Sequence, residues 1–371
     1  MRIGVISYDY APAIGGMGIV AKQYVDAIRQ QFPEHTIVVI APGTAADDRV
    51  NAIARLRYLK SGGCPLFSFV LSFLIKRLVR KHRLDAVHVH AGSGGVFLLW
   101  KPQCPLVVTA HHTYSQEARL VFGSQPLKKF LKSMMGMLER RTYRLADASV
   151  AVSADTAAAL RDDYRINPST IQVIENPVRI PPAGESSGLK DFTSILYVGR
   201  LEERKGCMTL LQAMFHLRER FPSIQLKVIG SNLLGHSVER FIGENNLGAH
   251  IQLLGFVDQE RYDAERKRAG IVVVPSLLEG FGLVAAEAMA DGACVVASDA
   301  PGLRSLIKDK VTGLLFRSGD AASCATAIEW ALANAAEAAT IGRHAADDIR
   351  KRCDVTKRTE DLERVISKMK L

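Results

Sequence analysis

Residues 271–290 read IVVVPSLLEGFGLVAAEAMA. The four β-branched residues that begin this stretch are typical of a buried strand, and Pro275 marks the end of that strand. A loop with two glycines follows, and the alanine-rich continuation from about Leu283 predicts a helix. A buried strand that passes through a glycine loop into a helix is the basic unit of an α/β fold, in which ligands bind beyond the carboxyl ends of the strands.

The same alternation of short apolar runs and longer helical stretches continues along the chain, as expected for parallel strands joined by crossover helices. The predicted strands are Ile3–Ser7, Thr36–Ala41, Ala86–His90, Leu106–Ala110, Ser149–Val152, Ser194–Val198, Gln225–Ile229, Ile251–Leu254, Ile271–Val274 and Cys294–Ala297. A segment rich in Pro, Gly and Ser separates the two sets of five. We therefore predict two Rossmann-like doubly wound α/β domains that face each other across a cleft. They span residues 1–176 and 191–371, with a linker at 177–190 and a last helix, about 356–369, that is a candidate to pack back on the first domain.

The charge of the chain is unevenly distributed. Its 48 Lys and Arg against 38 Asp and Glu give a net charge of +10, and residues 1–180 hold 23 basic and 13 acidic side chains. Residues 181–371 hold 25 of each. The first half is therefore expected to face an anionic partner, with a chance asymmetry as the alternative. The neutral second half, which has no recognition motif, argues against nucleic-acid binding.

Composition is typical of a globular cytoplasmic protein. The chain is 48% apolar and 23% charged, has no run of about 18 uncharged apolar residues, and begins without a recognisable signal peptide. Its six cysteines form no C-x-x-C pair, so we expect reduced, packed thiols and no zinc site. We predict a cytoplasmic location, either free or peripheral at the inner face of the cell membrane.

Charged side chains follow two predicted strands of the second half. Arg200 and Lys205 lie in the loop after Ser194–Val198, and Glu279 and Glu287 flank the start of the helix that follows Ile271–Val274. Two cations beside a helix N-terminus suit a diphosphate, and carboxylates accept hydrogen bonds from the vicinal hydroxyls of a sugar. Taken one at a time, each of these residues fits a solvated surface charge as well.

Two loops are candidates for backbone contacts with a ligand. The N–H groups of Phe281, Gly282 and Leu283 begin the predicted helix and would meet phosphate or sugar oxygens. Gly15 and Gly16 lie between the first strand and the next helix, where they fit a binding loop and a plain tight turn equally well. They do not form G-x-G-x-x-G, which argues against a nicotinamide dehydrogenase.

These motifs occur together in the order of a known family. Glu279 to Glu287 forms E-x7-E, and it is accompanied by Gly199-Arg200-x4-Lys205-Gly206 and by the segments SDAPG at 298–302 and VTGLLF at 311–316. In this combination the chain closely resembles the retaining glycosyltransferases of the GT-B fold, family 4, over essentially its whole length. The resemblance implies that a sugar is transferred from a nucleoside-diphosphate sugar.

The resemblance also implies roles for individual residues. Glu287 would bind the ribose hydroxyls, and Glu279 would bind the hydroxyls of the donor sugar. Arg200 and Lys205 would bind the diphosphate and stabilise it as the leaving group. The remaining donor contacts would come from the backbone of Phe281, Gly282 and Leu283, from Gly15 and Gly16 against the phosphates, and from Gly230 and Val257 beside the nucleobase.

In similar enzymes a histidine after the strand Leu106–Ala110 hydrogen-bonds the transferred sugar. His111 completes a T-x-H pattern with Thr109 and is favoured for this role. The adjacent His112 is one alternative, and a histidine with a purely structural role is another. The chain has no D-x-D triplet. We therefore expect transfer without a metal or other cofactor. The resemblance implies that the anomeric configuration is retained and that the leaving phosphate helps to take the acceptor's proton.

Two stretches that combine apolar and basic residues suggest an acceptor at an anionic membrane surface. Residues 66–83 fit an interfacial helix and a buried crossover helix equally well, whereas residues 127–144 favour the interface. We expect a glycan or lipid-linked acceptor in cell-surface polysaccharide or lipopolysaccharide synthesis, and a UDP-sugar rather than a GDP-sugar as donor. The alternatives are a nucleotide-sugar epimerase of similar fold and a soluble small-molecule glycosyltransferase.

Overall fold

The computed structural model describes residues 1–10, 15–42, 50–52, 63–181 and 190–369. They form two compact units, of which the first is Met1–Pro177 together with the chain from Val355 onward, and the second is Val178–Asp354. The last helix is thus part of the first unit, which is one of the two arrangements expected for residues 356–369. Residues 182–189 of the predicted linker lie outside the described residues.

The first unit is a doubly wound α/β structure. Its elements are β1 (Arg2–Ile6), α1 (Gly16–Gln31), β2 (Thr36–Ala41), β3 (Val50–Ala52), α2 (Gly63–His82), β4 (Ala86–Ala91), β5 (Leu106–Ala110), α3 (Tyr114–Leu120), α4 (Pro126–Leu145), β6 (Ala148–Ala151), α5 (Ala154–Asp162) and β7 (Ile171–Val173). The strands pair in parallel in the order β3-β2-β1-β4-β5-β6-β7. The order reverses between β1 and β4, and in such sheets the residues beyond the ends of these strands are favoured for ligand binding.

The second unit repeats this architecture. Its elements are β8 (Asp191–Val198), α6 (Cys207–Leu217), β9 (Gln225–Ile229), α7 (His236–Glu244), β10 (Ile251–Gly255), α8 (Gln259–Arg268), β11 (Ala269–Val274), α9 (Leu283–Ala290), β12 (Cys294–Ser298), α10 (Leu303–Leu306), β13 (Leu314–Phe316), α11 (Ala321–Ala333) and α12 (Ala335–Arg352), before α13 (Val355–Lys368) joins the first unit. Its sheet is also parallel, in the order β10-β9-β8-β11-β12-β13. Because β8 and β11 are neighbours at the reversal, the loops that follow them share one edge of the sheet.

Both sheets carry apolar side chains on their two faces because helices cover both. Every residue of β5, β11 and β12 is buried, as the continuous apolar runs predict. The main core of the second unit packs α6 and α11 on one face of its sheet, with Leu210 and Ile328 among its fully buried members. None of the helices within the described ranges is both long enough and apolar enough to cross a lipid bilayer.

The two-domain α/β prediction is confirmed, and each of the ten predicted strands is present. Three further strands, β3, β7 and β13, were not predicted. Each has three residues, which is too short for a hydrophobic period to show in sequence. In addition, β7 is largely exposed, so it lacks the apolar run that marks the central strands.

Candidate active site

The loops after β8 and β11 lie against each other at one edge of the second sheet. Gly206 permits this approach, because its φ of 63° is left-handed and a Cβ atom there would lie 1.9 Å from the carbonyl oxygen of Pro275. The Leu277 N–H also donates to the Arg204 carbonyl across 2.8 Å. The loop that contains the predicted phosphate-binding cations is thereby held against the loop that leads into α9.

The loop after β11 enters α9 through a second left-handed glycine. Gly282, with a φ of 90°, is the N-cap of α9, so the helix begins at Leu283 as predicted. Phe281 is buried beside it. The N–H groups in the first turn of a helix have no carbonyl partner within that helix, and they stabilise an anion placed near them.

The turn after β12 holds the backbone of Glu279 in place. The Glu279 N–H donates to the Pro301 carbonyl across 3.2 Å. Gly302, whose φ is 85°, passes so close that a Cβ atom would lie 2.6 Å from the Glu279 carbonyl oxygen. The Ser298 hydroxyl donates to the carbonyl of Ser276. The SDAPG motif therefore supports the position of the first carboxylate of E-x7-E.

An ion pair between two predicted residues lies at the centre of this arrangement. Lys205 Nζ is 2.6 Å from Glu279 Oε1, and the Ser276 hydroxyl donates to the same oxygen across 2.8 Å. Arg204 Nη1 lies 3.8 Å from Glu279 Oε2. Burial raises the pKa of the Glu279 carboxyl, but the charges of Lys205 and Arg204 and the hydrogen bonds from Lys205 and Ser276 outweigh it and lower that pKa to about 2. Glu279 is therefore ionised at neutral pH.

The two arginines of the β8 loop differ in exposure. The Arg204 side chain is largely buried; it donates to the Leu278 carbonyl across 3.2 Å and to Glu202 Oε1 across 2.9 Å. The Arg200 side chain is 45% exposed and lies 3.2 Å from the same Glu202 oxygen. Arg204 thus fastens the two loops together, whereas Arg200, a predicted ligand of the diphosphate, is open to solvent.

Glu287, the second carboxylate of E-x7-E, has different partners. Its Oε2 accepts a 2.6 Å hydrogen bond from the Tyr262 hydroxyl of α8, and its main-chain carbonyl accepts from Arg266 Nη1 across 2.9 Å. Burial raises the pKa of the Glu287 carboxyl, and Arg266 and Tyr262 offset part of this effect. The two carboxylates therefore occupy separate electrostatic environments, one beside two cations and one beside a tyrosine hydroxyl.

The residues predicted beside the nucleobase follow β9 and β10. Gly230, with a φ of 142°, passes so close to the β8 loop that a Cβ atom would lie 2.1 Å from the Gly199 carbonyl oxygen. Its N–H donates to the Gly255 carbonyl across 2.8 Å, which ties the ends of β9 and β10 together. Val257 is half-buried, and the neighbouring Phe256 ring is 92% exposed. An exposed aromatic ring at this edge is suited to stacking.

The predicted glycine loop of the first unit ends at the start of α1. Gly15 is the N-cap of α1 in an extended conformation, and Gly16 is the first helical residue. Two residues into the helix, a Cβ atom at Gly18 would lie 1.9 Å from the Asp9 carbonyl oxygen, so the first turn of α1 packs against the loop that follows β1. Residues 11–14 of this loop lie outside the described residues.

His111 belongs to a group of buried histidines in the first unit. Its Nε2 lies 3.0 Å from His90 Nδ1, and His88 Nε2 lies 2.7 Å from Thr109 Oγ1. Burial lowers the pKa of His111 to about 3 and that of His88 to about 4, so both rings are neutral at pH 7. The His111 ring thus faces His90. His112, the alternative for the sugar contact, is more exposed than His111.

The two apolar and basic stretches form α2 and α4 of the first unit. α2 buries Phe67 and Leu71 against the sheet and leaves Phe73 exposed, so features of both interpretations of residues 66–83 are present. In α4 the exposed apolar residues fall on one side, which we call the outer face of α4. It consists of Leu127, Phe130, Leu131, Met134 and Met137.

Four of the six basic residues predicted to face lipid along residues 127–144 have protein partners. Lys128 Nζ lies 5.2 Å from the centroid of the Phe122 ring. Lys132 pairs with Glu117 at 2.9 Å. Arg140 and Arg141 donate to main-chain carbonyls, those of Tyr164 and Leu99. Arg141 nevertheless has an exposed side chain. Lys128, Lys129 and Arg144 are exposed.

Four residues that contact the predicted carboxylates were missed in the sequence: Arg204, Ser276, Tyr262 and Arg266. The first two lie in the loops after β8 and β11, so the rule that strand ends carry function could have found them. The other two lie within α8, and nothing in the sequence around them marks a site. Their contacts with α9 arise from tertiary packing alone.

Two family models match the chain, one for each half. The model described as Glycosyltransferase Family 4 matches residues 14–180. The model described as Glycosyl transferases group 1 matches residues 185–348, the range that contains both carboxylates of E-x7-E and the cations of the β8 loop. Between them the two models span most of the chain.

The chain is also similar to individual proteins and to solved structures. The chain is 26% identical over 343 residues to a phosphatidyl-myo-inositol mannosyltransferase of Mycobacterium leprae, covering 90% of this chain and 88% of the relative. Sucrose-phosphate synthase from Thermosynechococcus elongatus has a TM-score of 0.83 and 23% identity, with 99% and 98% of the two chains covered. Anabaena HepE in complex with UDP and glucose has a TM-score of 0.73 and 18% identity, with 99% of each chain covered. At these identities the two structures show a shared fold.

Proposed function

Because the chain belongs to the group 1 glycosyltransferases of family 4, we propose that it moves a hexose or N-acetylhexosamine from a nucleoside-diphosphate sugar to a glycan or lipid-linked acceptor, with retention. The observation that carries the proposal is the Lys205–Glu279 ion pair. It joins a cation suited to a diphosphate and a carboxylate suited to sugar hydroxyls at the start of α9. The UDP found in the Anabaena relative supports a UDP-sugar over a GDP-sugar.

In the proposed reaction the bond between the anomeric carbon and the diphosphate oxygen breaks, and the acceptor oxygen bonds to the same face of that carbon. The acceptor's proton passes to an oxygen of the leaving diphosphate. Lys205 and Arg200 neutralise the charge that develops on the diphosphate, with help from the N–H groups of Gly282 and Leu283. Glu279 binds hydroxyls of the donor sugar, and the proposal includes no covalent step on its carboxylate. Lys205 and Ser276 both contact its Oε1.

The charge on the leaving diphosphate requires no metal ion in this proposal. Two cations and a helix N-terminus supply the electrostatic stabilisation that a bound divalent ion supplies elsewhere. Lys205 is held in position by Glu279, and Arg200 by Glu202. Preorganised charges of this kind need little rearrangement during the reaction.

The acceptor is proposed to be lipid-linked and to be met at the inner face of the cell membrane. The outer face of α4 presents five apolar side chains, of which Leu127 is 71% exposed. Exposed Lys128, Lys129 and Arg144 lie on the same helix. An apolar stripe bordered by basic residues matches the boundary between acyl chains and anionic headgroups.

α2 extends the same apolar and basic character beyond α4. Phe73 of α2 packs on Trp100 with ring centroids 4.7 Å apart, and Arg141 of α4 donates to the carbonyl of the adjacent Leu99 across 2.6 Å. Both helices therefore contact the segment at residues 99–100. This continuity supports one surface made from both helices, for an acceptor in cell-surface polysaccharide or lipopolysaccharide synthesis.

Product analysis without an acceptor tests this function. The protein is incubated with UDP-glucose, UDP-galactose, UDP-N-acetylglucosamine or GDP-mannose, with and without EDTA, and the nucleotides are separated. Slow release of UDP from one UDP-sugar, at the same rate in EDTA, is expected. Formation of an epimeric nucleotide-sugar without release of nucleotide would support the epimerase alternative. Loss of activity in EDTA that Mg²⁺ restores would overturn the metal-free proposal.

A further inference from the structure

Glu287 is held from two directions by residues one turn apart on α8. The Tyr262 hydroxyl donates to Oε2 of its carboxylate across 2.6 Å. Arg266 Nη1 donates to the Glu287 main-chain carbonyl across 2.9 Å and lies 2.7 Å from Oδ2 of Asp291, the residue that ends α9. α8 thus fixes both the end of the short helix α9 and the side chain of one of its residues.

The Tyr262 hydrogen bond leaves one side of the carboxylate for a ligand. Among the residues that the structure describes, Oε1 of Glu287 accepts no hydrogen bond, and Oε2 retains a second lone pair beside the Tyr262 hydroxyl. A vicinal diol offers two O–H donors at neighbouring carbons. A carboxylate whose plane is already fixed can accept both without first losing side-chain freedom.

We propose that Tyr262 is a positioning residue that orients Glu287 toward the vicinal hydroxyls of the donor's ribose. The inference rests on the proposed function, because it requires a nucleoside diphosphate in this site. The pKa of the Glu287 carboxyl is consistent with this role of Tyr262. Burial raises the pKa of its carboxyl, and the Tyr262 hydrogen bond acts in the opposite direction and favours the charged form that accepts two hydroxyls.

A purely structural role for Tyr262 makes a different prediction. If its hydroxyl merely fastened α8 to α9, its loss would disturb every nucleotide alike. If it orients Glu287, its loss weakens the contacts with the ribose hydroxyls and spares the rest of the ligand. The ratio of affinities for a ribonucleotide and for its 2′-deoxy analogue separates the two roles.

The test is calorimetric titration of the wild type and of Tyr262→Phe with UDP and with 2′-deoxy-UDP. We expect the wild type to prefer UDP by about tenfold or more, the usual scale for a hydrogen bond to a charged group. In Tyr262→Phe the affinity for UDP falls about five- to thirtyfold, and that for 2′-deoxy-UDP changes less than about twofold. The phenyl ring keeps the contact with Arg266, whose guanidinium lies 5.4 Å from the Tyr262 ring centroid, so the variant is expected to fold.

Tyr164→Phe is the matched control. It removes another tyrosine-to-carboxylate hydrogen bond, to Glu139 in the first unit, and should leave the ratio of the two affinities unchanged. A Tyr262→Phe protein that retains the wild-type ratio overturns the positioning role and leaves the proposed function standing. A wild type that binds none of UDP, GDP and ADP overturns both. If GDP or ADP is the nucleotide bound, its own 2′-deoxy analogue replaces 2′-deoxy-UDP.

Discussion

Lys205 and Glu279 neutralise each other in a partly buried site. Removing one member of such a pair leaves an uncompensated charge, which is costly, so each residue keeps the other charged and in place. A diphosphate would offer Lys205 a second anionic partner. Glu279 would then be able to accept hydrogen bonds from the hydroxyls of the donor sugar. Arg204, whose Nη1 lies 3.8 Å from Glu279 Oε2 in this structure, would be its second cation.

The Lys205→Ala variant tests this interpretation at the level of one residue. We expect turnover to fall by at least about a hundredfold, because a preorganised charge beside the leaving group is lost. Initial rates of UDP release measure this. Lys351→Ala, at an exposed position of α12, is the control, and a thermal melt of each variant checks that it is folded. A folded Lys205→Ala protein within about threefold of the wild-type rate would falsify the role of Lys205.

The first unit also contains a buried carboxyl, that of Glu139, which the sequence did not predict. Glu139 accepts hydrogen bonds from the Tyr114 N–H across 2.9 Å and from the Tyr164 hydroxyl. Burial raises the pKa of its carboxyl to about 8, and these hydrogen bonds offset part of that effect. The folded protein therefore holds this proton at pH 7, whereas the unfolded chain, with a pKa of about 4.3, releases it.

This difference predicts how the stability of the protein depends on pH. Because the folded state binds one more proton than the unfolded state between about pH 4.3 and 8, Glu139 lowers the free energy of unfolding as the pH rises through that range. Glu139→Gln cannot titrate. As the pH rises from 5 to 8, the free energy of unfolding of the variant should therefore increase relative to that of the wild type, by roughly 1 kcal/mol per pH unit.

Urea denaturation at pH 5, 6.5 and 8 measures the change, with Glu219→Gln, at a side chain that is 81% exposed, as the control. The free energies of unfolding of the wild type and of Glu139→Gln are compared at each pH. If they differ by the same amount at all three pH values, Glu139 is ionised in the folded protein.

Functional side chains that directly follow a strand could be predicted from the sequence. Lys205 and Glu279 were identified from separate motifs, and the structure brings them to 2.6 Å. Tyr262 could not be identified in this way. Its partner Glu287 lies 25 positions later, and their contact depends on how α8 packs on α9, which no local pattern encodes. The orientation of His111 toward His90 is likewise a property of strand pairing.

At the scale of elements, α4 departs from the usual pattern of a surface helix. Its inner side is polar as well as buried, with Glu139 and Thr142 among the buried residues, and its apolar residues form the outer face instead. The hydrophobic period in the sequence therefore predicted the helix correctly but could not decide which side faces the protein. The hydroxyl of buried Thr142 accepts a hydrogen bond from the Leu98 N–H across 2.8 Å, a tertiary contact that no local pattern reveals.

The outer face of α4 leads to a prediction for membrane binding. The double variant Phe130→Ser/Met137→Ser should lose at least half of the flotation seen for the wild type with vesicles of phosphatidylglycerol and phosphatidylcholine at low salt, because apolar burial and charge act together there. Raising the salt to about 0.5 M should weaken wild-type binding, since it screens the basic residues.

Val173→Ser is the matched control for the flotation experiment, since it removes an exposed apolar side chain from β7 of the same unit. Failure of the wild type to float with anionic vesicles at low salt would contradict the proposed membrane surface. Equal flotation of the wild type and the double variant would place membrane binding elsewhere.

At the scale of the whole molecule, the charge asymmetry and the division into units coincide. The excess of basic residues lies within the first 180 positions, and the unit that contains α2 and α4 ends its first segment at Pro177. The second unit is balanced overall and places its cations beside E-x7-E. The two-domain architecture was predictable because two sets of five short, mainly apolar runs alternate with longer helical stretches. The sequence left open whether the last helix packs on the first unit. This arrangement depends on the contact between α13 and α1, which is tertiary packing.

We expect the second unit to bind a nucleoside diphosphate through Lys205 and Glu287. Calorimetric titration of the wild type, Lys205→Ala and Glu287→Gln with UDP, GDP and ADP measures this binding. We predict that the wild type binds one of them, UDP in the first instance, and that each variant binds it at least about tenfold more weakly. Absence of binding of all three nucleotides by the wild type, or equal affinity in the three proteins, would contradict the proposed roles of Lys205 and Glu287.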